Sequence, residues 1–374
     1  MAKLASRVGE SIGFHCYSSV ADESTLGNPE ALIWSSIRHL GSYGVAYYIA
    51  KDRHGLRTNR DRQSAANNIK LYIRQAADFY EAARLAKANT APLIYYYSFL
   101  NLAKALCEFK MPQLHKRPES YRHGLSWRPS AQYLVDLQKE YVTVSRRGIW
   151  HLLWEALMGV RCPAANPTKL RIADLFAYCP EISVECEMVC PGPQNLITLE
   201  DPAVLYNPSI REAWIRFSLD PSDLKLAKIS MRCLIQTLRM PRSGYQEVVP
   251  AKNGYRTFET EIPVKVGRKQ YVLEAMESDI SALNLFTAIE GGELKYAVSI
   301  QRHLPFAIPQ ISVLYTILFW LGSLVRYDPH SVADLMDSHN WTLIDGFMSQ
   351  SCLWLLERME WALYGTETTL RSAR

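Results

Sequence analysis

The chain has 374 residues, 48 % of them hydrophobic and 21 % charged, with a formal net charge of +5. That length supports two or three domains around a substantial core, and that balance excludes a chain dominated by disorder. Its 21 Tyr, 9 Trp and 11 Phe are expected mostly to pack, because aromatic rings bury large areas at modest entropic cost.

The charge is uneven. Residues 1–150 carry 21 Lys and Arg against 12 Asp and Glu, and the remainder carries 21 against 25. A basic half fits either a polyanionic or acidic partner, RNA or DNA among them, or a second half that neutralises it across a domain contact. The eight cysteines are spread from Cys16 to Cys352. Residues Met1 to Glu10 lack the apolar stretch that export needs, so the expectation is reduced thiols and a cytoplasmic protein. Cys179, Cys186 and Cys190 lack the paired short spacings of a zinc site and have no histidine nearby, so no metal is expected there.

In chain order, residues 1–28 read as a lead-in ending at Gly27-Asn28-Pro29. Residues 29–165 read as a helical bundle. Its first helix, Pro29 to Ala50, is broken by Gly41 and Gly44. The segment Lys51–Arg62 is basic with no apolar face and reads as a loop. Ser64 is the expected N-cap of a long helix to about Ala88, with Ile69, Ile73, Ala76, Ala77, Tyr80 and Ala83 on one face. Asn89 to Pro92 forms a tight link, and a second helix runs from Leu93 to about Phe109, giving an antiparallel hairpin. After a basic loop, Lys110 to Pro129, further helix is expected over Ala131–Val144 and Ile149–Met158.

Residues 166–305 change character. Short β-favouring runs occur at Ile182–Val189, Trp214–Leu219, Tyr245–Val249, Thr257–Val266, Gln270–Ala275 and Leu294–Ile300, with a helix from Asp220 to about Leu238. Residues 306–374 return to helix. The run Ile308–Val325 reads as a buried central helix, since Pro309, Gln310, Ser312, Thr316 and Ser323 interrupt it. The expected fold class is α+β, mainly helical, with a mixed α+β insert and C-terminal helices packing back on the bundle.

Two stretches carry a resemblance. One is Asp78-Phe79-Tyr80-Glu81-Ala82-Ala83 followed by the segment from Ala91 through Tyr95-Tyr96-Tyr97 to Leu106, with His123-Gly124-Leu125 downstream. The other is Leu321-Gly322-Ser323-Leu324-Val325-Arg326-Tyr327-Asp328-Pro329. Together they resemble the YaaC-like family, with Tyr96, Asn101, Lys104, Arg326, Tyr327 and Pro329 as its structural motif. The hairpin is also similar to the HEPN helical fold, which implies RNA cleavage, toxin or phage-defence settings. The basic N-terminal half together with the resemblance points to a binding or scaffolding protein in a multi-protein, nucleic-acid-linked system such as phage defence, with a protein partner or homo-oligomer expected and no membrane.

Three functional expectations follow. A surface of Lys51, Arg53, Arg57, Arg60, Arg62, Arg74, Lys116, Arg122 and Arg128 would contact phosphates, with nearby tyrosines stacking on bases. Alternatively, Arg117 and His123 match the Arg-to-His spacing of a metal-independent ribonuclease, with His123 as general acid/base and Arg117 stabilising the phosphorane. Arg146 and His151 match it as well, so spacing alone does not choose. The third expectation is a regulator of nucleotide metabolism that binds an anionic ligand. No P-loop, dinucleotide fingerprint, HExxH or GxSxG occurs, and no cofactor is expected.

Overall fold

The computed structural model describes residues 4–371 except 15, 23–28, 53–55, 118–121, 130–134, 165–166, 193–194, 239–243, 250–253, 291–292, 301–303, 305 and 365. The architecture is mixed α+β and mainly helical. The chain folds as two compact units, each built from two stretches: Met1–Cys16 with Gly192–Gln310, and Tyr17–Pro191 with Ile311–Arg374. The C-terminal helices therefore belong with the helical unit. The mixed unit begins at 192 rather than 166, because residues 168–171 form the edge strand of a small sheet within the helical unit.

The mixed unit is organised by one sheet. Its strands run in the order Leu4–Ala5, Tyr245–Val249, Arg256–Thr260, Glu212–Leu219, Leu196–Asn207, Glu293–Ser299, Leu285–Glu290, and all neighbours are antiparallel except the first pair. Alternation along Glu212–Leu219 divides the faces. Ile215, Phe217 and Leu219 join an apolar core with Leu224, Leu234, Val272 and Met276 of the covering helices. Arg216 and Ser218 point the other way, opposite Glu259 and Thr257.

On that second face the Arg216 guanidinium pairs with Glu259, Nε to Oε1 being 2.9 Å. It also donates to Ser6 Oγ at 2.7 Å and to the Arg7 carbonyl. Glu259 is fully buried and accepts from Ser6 Oγ at 3.1 Å and from the Arg7 amide at 3.3 Å. The expected lead-in is thus partly structure: residues 4–5 and 10–11 are sheet strands, tied down by an ion pair whose carboxylate is buried.

Other expectations shift locally. Ser183–Val189 is helical rather than extended. Gln270–Ala275 enters a helix, Val272–Ala282, whose Val272, Met276 and Ile280 are buried at helical spacing. The helix expected over 131–144 ends as a strand, Tyr141–Val144, paired with Leu125–Ser126 and Thr168–Arg171.

In the helical unit the long hairpin consists of Asn59–Leu85 and Ala91–Lys110. Its N-cap is Thr58, whose hydroxyl accepts from the Asp61 amide at 3.1 Å while donating to the Asp61 carboxylate at 2.8 Å. That reciprocal pair places the N-cap six residues before Ser64. The expected stripe from Ile69 to Ala83 is buried. Its alanines let the partner helix approach closely, and Ser98 Oγ donates across the seam to the Ala76 carbonyl at 2.7 Å. The helix Gln310–Tyr327 is buried on every side through its central turns, with Val313, Leu314, Tyr315, Ile317, Leu318 and Trp320 at 0 % exposure. Trp150 and Trp320 satisfy their indole N–H groups on Thr316 at 2.9 Å and Glu140 at 3.3 Å. Among the described residues no helix is long and apolar enough to cross a membrane.

Candidate functional site

Within the helical unit three pieces meet: the first two turns of the 91–110 helix, the loop around residues 123–129, and the second half of the 310–327 helix. They enclose a pocket of about 430 Å³, a volume typical of small-ligand sites. Gly322 permits the two helices to close on each other, because a Cβ there would stand 3.2 Å from the Tyr96 Cβ.

The loop is fixed by its backbone. The Arg122 and His123 carbonyls accept from the Ile149 and Trp150 amides at 2.8 and 3.0 Å, using amides that the first turn of the Ile149–Met158 helix cannot satisfy internally. At the same point Gly124 and Gly148 cross. Both have positive φ, +81° and +147°, and a Cβ on Gly148 would lie 2.2 Å from the Gly124 Cα. The backbone on either side of His123 is therefore pinned.

The side chains above it form a chain of hydroxyls. Tyr96 Oη lies 2.6 Å from His123 Nδ1 and 3.3 Å from Tyr315 Oη. Burial pushes both phenols up, so both keep their protons. The arrangement that satisfies all three groups has Tyr315 donating to Tyr96 and Tyr96 donating to Nδ1, which leaves His123 Nε2 carrying its proton. On the next residue of the same helix, Tyr97 Oη accepts from Arg326 Nη1 at 3.2 Å. The tyrosine run thus holds a histidine with one hydroxyl and an arginine with the next. Phe319 stands edge-on to Tyr96, with ring centres 5.5 Å apart. Trp127 is held by its Nε1 donating to the buried Glu140 at 2.6 Å.

The electrostatics are one-sided. Burial pushes the His123 imidazole below its ordinary value, and the charges of Lys104 and Arg326 push it further. Burial likewise lowers Lys104, whose ammonium lies 5.7 Å from the Tyr72 ring centre. Among the described residues no Asp or Glu lines the pocket. The sign for stability follows by linkage. The unfolded chain takes up the imidazole proton more readily than the folded one, so stability falls as pH drops below the ordinary 6.5 and is complete above it. His151 is lowered in the same direction. His123→Gln should therefore reduce, without abolishing, the loss of melting temperature between pH ~8 and pH ~5.5. An unchanged pH profile would show that His123 is not held neutral.

A family model described as YaaC-like Protein matches residues 42–360. The chain belongs to the YaaC-like family. No curated protein matches the chain, and neither does any solved structure. The matched span contains every piece of the pocket.

Of the family-motif residues, Tyr96, Arg326 and Tyr327 line the pocket. Asn101 Nδ2 donates to the Tyr97 carbonyl at 2.8 Å, and Pro329 begins the next helix behind its Asp328 cap. Arg326 reaches the Tyr97 hydroxyl rather than capping the carbonyls of its own helix. The Arg117 and His123 of the ribonuclease expectation meet residues at opposite ends of the 91–110 helix, Met111 being its C-cap. Arg117 Nη1 approaches Met111 Sδ at 4.0 Å and His123 meets Tyr96, positions about 20 Å apart along the axis at the helical rise.

The basic residues divide as well. Arg57, Arg60 and Lys116 are exposed around the start of the 59–85 helix, with Lys116 paired to Asp61 at 2.9 Å. Arg62 there donates to the Leu56 carbonyl at 2.6 Å. Lys51 and Arg74 are exposed on their own helices, and Arg53 lies outside the described residues. Arg122 and Arg128 are exposed beside the pocket-lining residues His123, Trp127 and Pro129.

Proposed function

We propose that the chain is a binding protein whose pocket takes a flat ring bearing a phosphate, a nucleotide or nucleotide unit. The observation that carries this is the lining itself: a neutral His123 with Nε2–H to offer, the Arg326 guanidinium, aromatic walls and, among the described residues, no carboxylate. Donors and positive charge select an acceptor-rich anion. Tyr97, Trp127, Phe319 and Tyr327 offer faces or edges to a base. Such a pocket suits the recognition element of a multi-protein, nucleic-acid-linked system such as phage defence, and equally a regulator responding to a nucleotide.

The test is isothermal titration with nucleoside monophosphates, free nucleosides and inorganic phosphate. The monophosphates bind best on this reading. Arg326→Ala removes a charge-assisted contact worth about 1.5–3 kcal/mol, a loss of roughly 10- to 150-fold in affinity. No binding of any monophosphate, or binding untouched by Arg326→Ala, removes the proposal.

A second reading is RNA cleavage of the HEPN type. It is favoured by His123, whose Nδ1 is held while Nε2 faces no protein partner among the described contacts. In that reading Arg326, rather than Arg117, is the cation beside it. RNA turnover unchanged by His123→Ala would remove it.

A further inference from the structure

Resting on the pocket reading above, we propose that the ligand is the phosphorylated end of a single-stranded nucleic acid rather than a free mononucleotide. The terminal nucleotide occupies the pocket and the following phosphates run over Arg122 and Arg128. Three observations carry this.

The first is placement. Arg122 is joined to His123, and Arg128 lies between Trp127 and Pro129, so each arginine backbone is one residue from the lining. Consecutive Cα atoms are about 3.8 Å apart, so both arginine backbones stand at the edge of the pocket lining.

The second is availability. Both arginines are exposed, although the Arg122 backbone is fixed through its carbonyl to the Ile149 amide at 2.8 Å. Their guanidinium groups are presented from an anchored loop, which keeps the ordering cost of a bound strand low. A free mononucleotide, its phosphate met inside the pocket by the His123 Nε2–H donor and the Arg326 guanidinium, leaves two cations outside the pocket without a phosphate to face.

The third is the rim. Tyr327 is 62 % exposed, and the Arg326 guanidinium lies 5.1 Å from its ring centre. An exposed ring backed by a cation is a platform for a second base.

The experiment measures binding to the full chain by fluorescence anisotropy. The probes are a 5′-phosphorylated single-stranded pentanucleotide, the matching mononucleotide as competitor, and a covalently closed single-stranded circle of the same composition. The linear strand is expected to bind at least tenfold more tightly than the mononucleotide and than the circle. Its affinity should fall with salt at a log–log slope near −0.7 for each phosphate neutralised. The double variant Arg122→Ala, Arg128→Ala should make that slope shallower by about 1.4 and leave the mononucleotide affinity within twofold. Equal binding of linear strand and mononucleotide overturns the inference and leaves the pocket reading standing. So does a circle that binds as tightly as the linear strand, or a double variant with an unchanged slope. Absence of mononucleotide binding, with strand binding indifferent to Arg326→Ala, overturns both.

Discussion

Gly148→Ala is expected to destabilise the protein by on the order of 4 kcal/mol, seen as a fall of roughly 10 °C in melting temperature. Two costs add. A residue with a side chain does not readily adopt φ +147° with ψ −179°, a backbone region that belongs to glycine and costs about 1–3 kcal/mol to force. The new methyl would also stand 2.2 Å from both Cα and N of Gly124. Backbone cannot rotate away as a flexible side chain can, so the crossing must open. Because the His123 carbonyl and Gly124 sit at that crossing, ligand affinity should fall together with stability. Gly44→Ala is the contrasting control: nothing lies within 4 Å of the added carbon in the Tyr43–Asp52 helix. It should be neutral or stabilising by up to about 1 kcal/mol. A Gly148→Ala protein with an unchanged melting temperature would mean that the two glycines do not cross as described.

Arg216→Ala should destabilise the mixed unit by about 3–5 kcal/mol, because it leaves the fully buried Glu259 carboxylate without its cation. The Ser6 hydroxyl and Arg7 amide still donate to Glu259, but neutral donors do not replace a guanidinium. The same change removes two of the anchors of residues 4–11, so limited proteolysis should cut that segment in the variant well before the rest of the sheet. The apolar pair Arg216→Met, Glu259→Leu should recover much of the loss, since burying neither charge costs less than burying one alone. Denaturant midpoints of the three proteins test this. If Arg216→Ala matches the parent, the pair is not a structural anchor.

Much of the helical unit was legible, since its signals are local. The stripe from Ile69 to Ala83 announced the 59–85 helix, and Pro92 announced the start of its partner. What misled was β-favouring composition without attention to period. Gln270–Ala275 contains Tyr, Val and Leu, yet Val272, Met276 and Ile280 repeat at helical steps. The strands Leu196–Asn207 and Leu285–Glu290, and those at residues 4–5 and 10–11, are set by pairing rather than by local pattern. Pairings such as Glu10 with Tyr206 and Leu4 with Val248 join residues about 200 or more apart, and no local pattern carries that information. The candidate site was half legible. His123, Tyr96, Arg326 and Tyr327 all stood in the segments that carried the family resemblance. Sequence alone had no means of joining position 96 to positions 123 and 326, and so paired His123 with the nearby Arg117. Trp127, Phe319 and the glycine crossing had no signal of their own.

The division of each unit between distant stretches also sets an order of events during synthesis. The 59–110 hairpin leaves the ribosome early, but the 310–327 helix that covers Tyr96 follows more than 200 residues later. At usual elongation speeds the gap is roughly 10–40 s. Through that interval the part of the hairpin that the 310–327 helix covers, Tyr96 among it, stays open, although the 29–40, 43–52 and 149–158 helices already pack on the rest, while the mixed unit can be completed as soon as Gln310 emerges. That open face is therefore among the last parts of the helical core to be sealed. Slowing translation between 110 and 327 should lower soluble yield more than slowing it after 327.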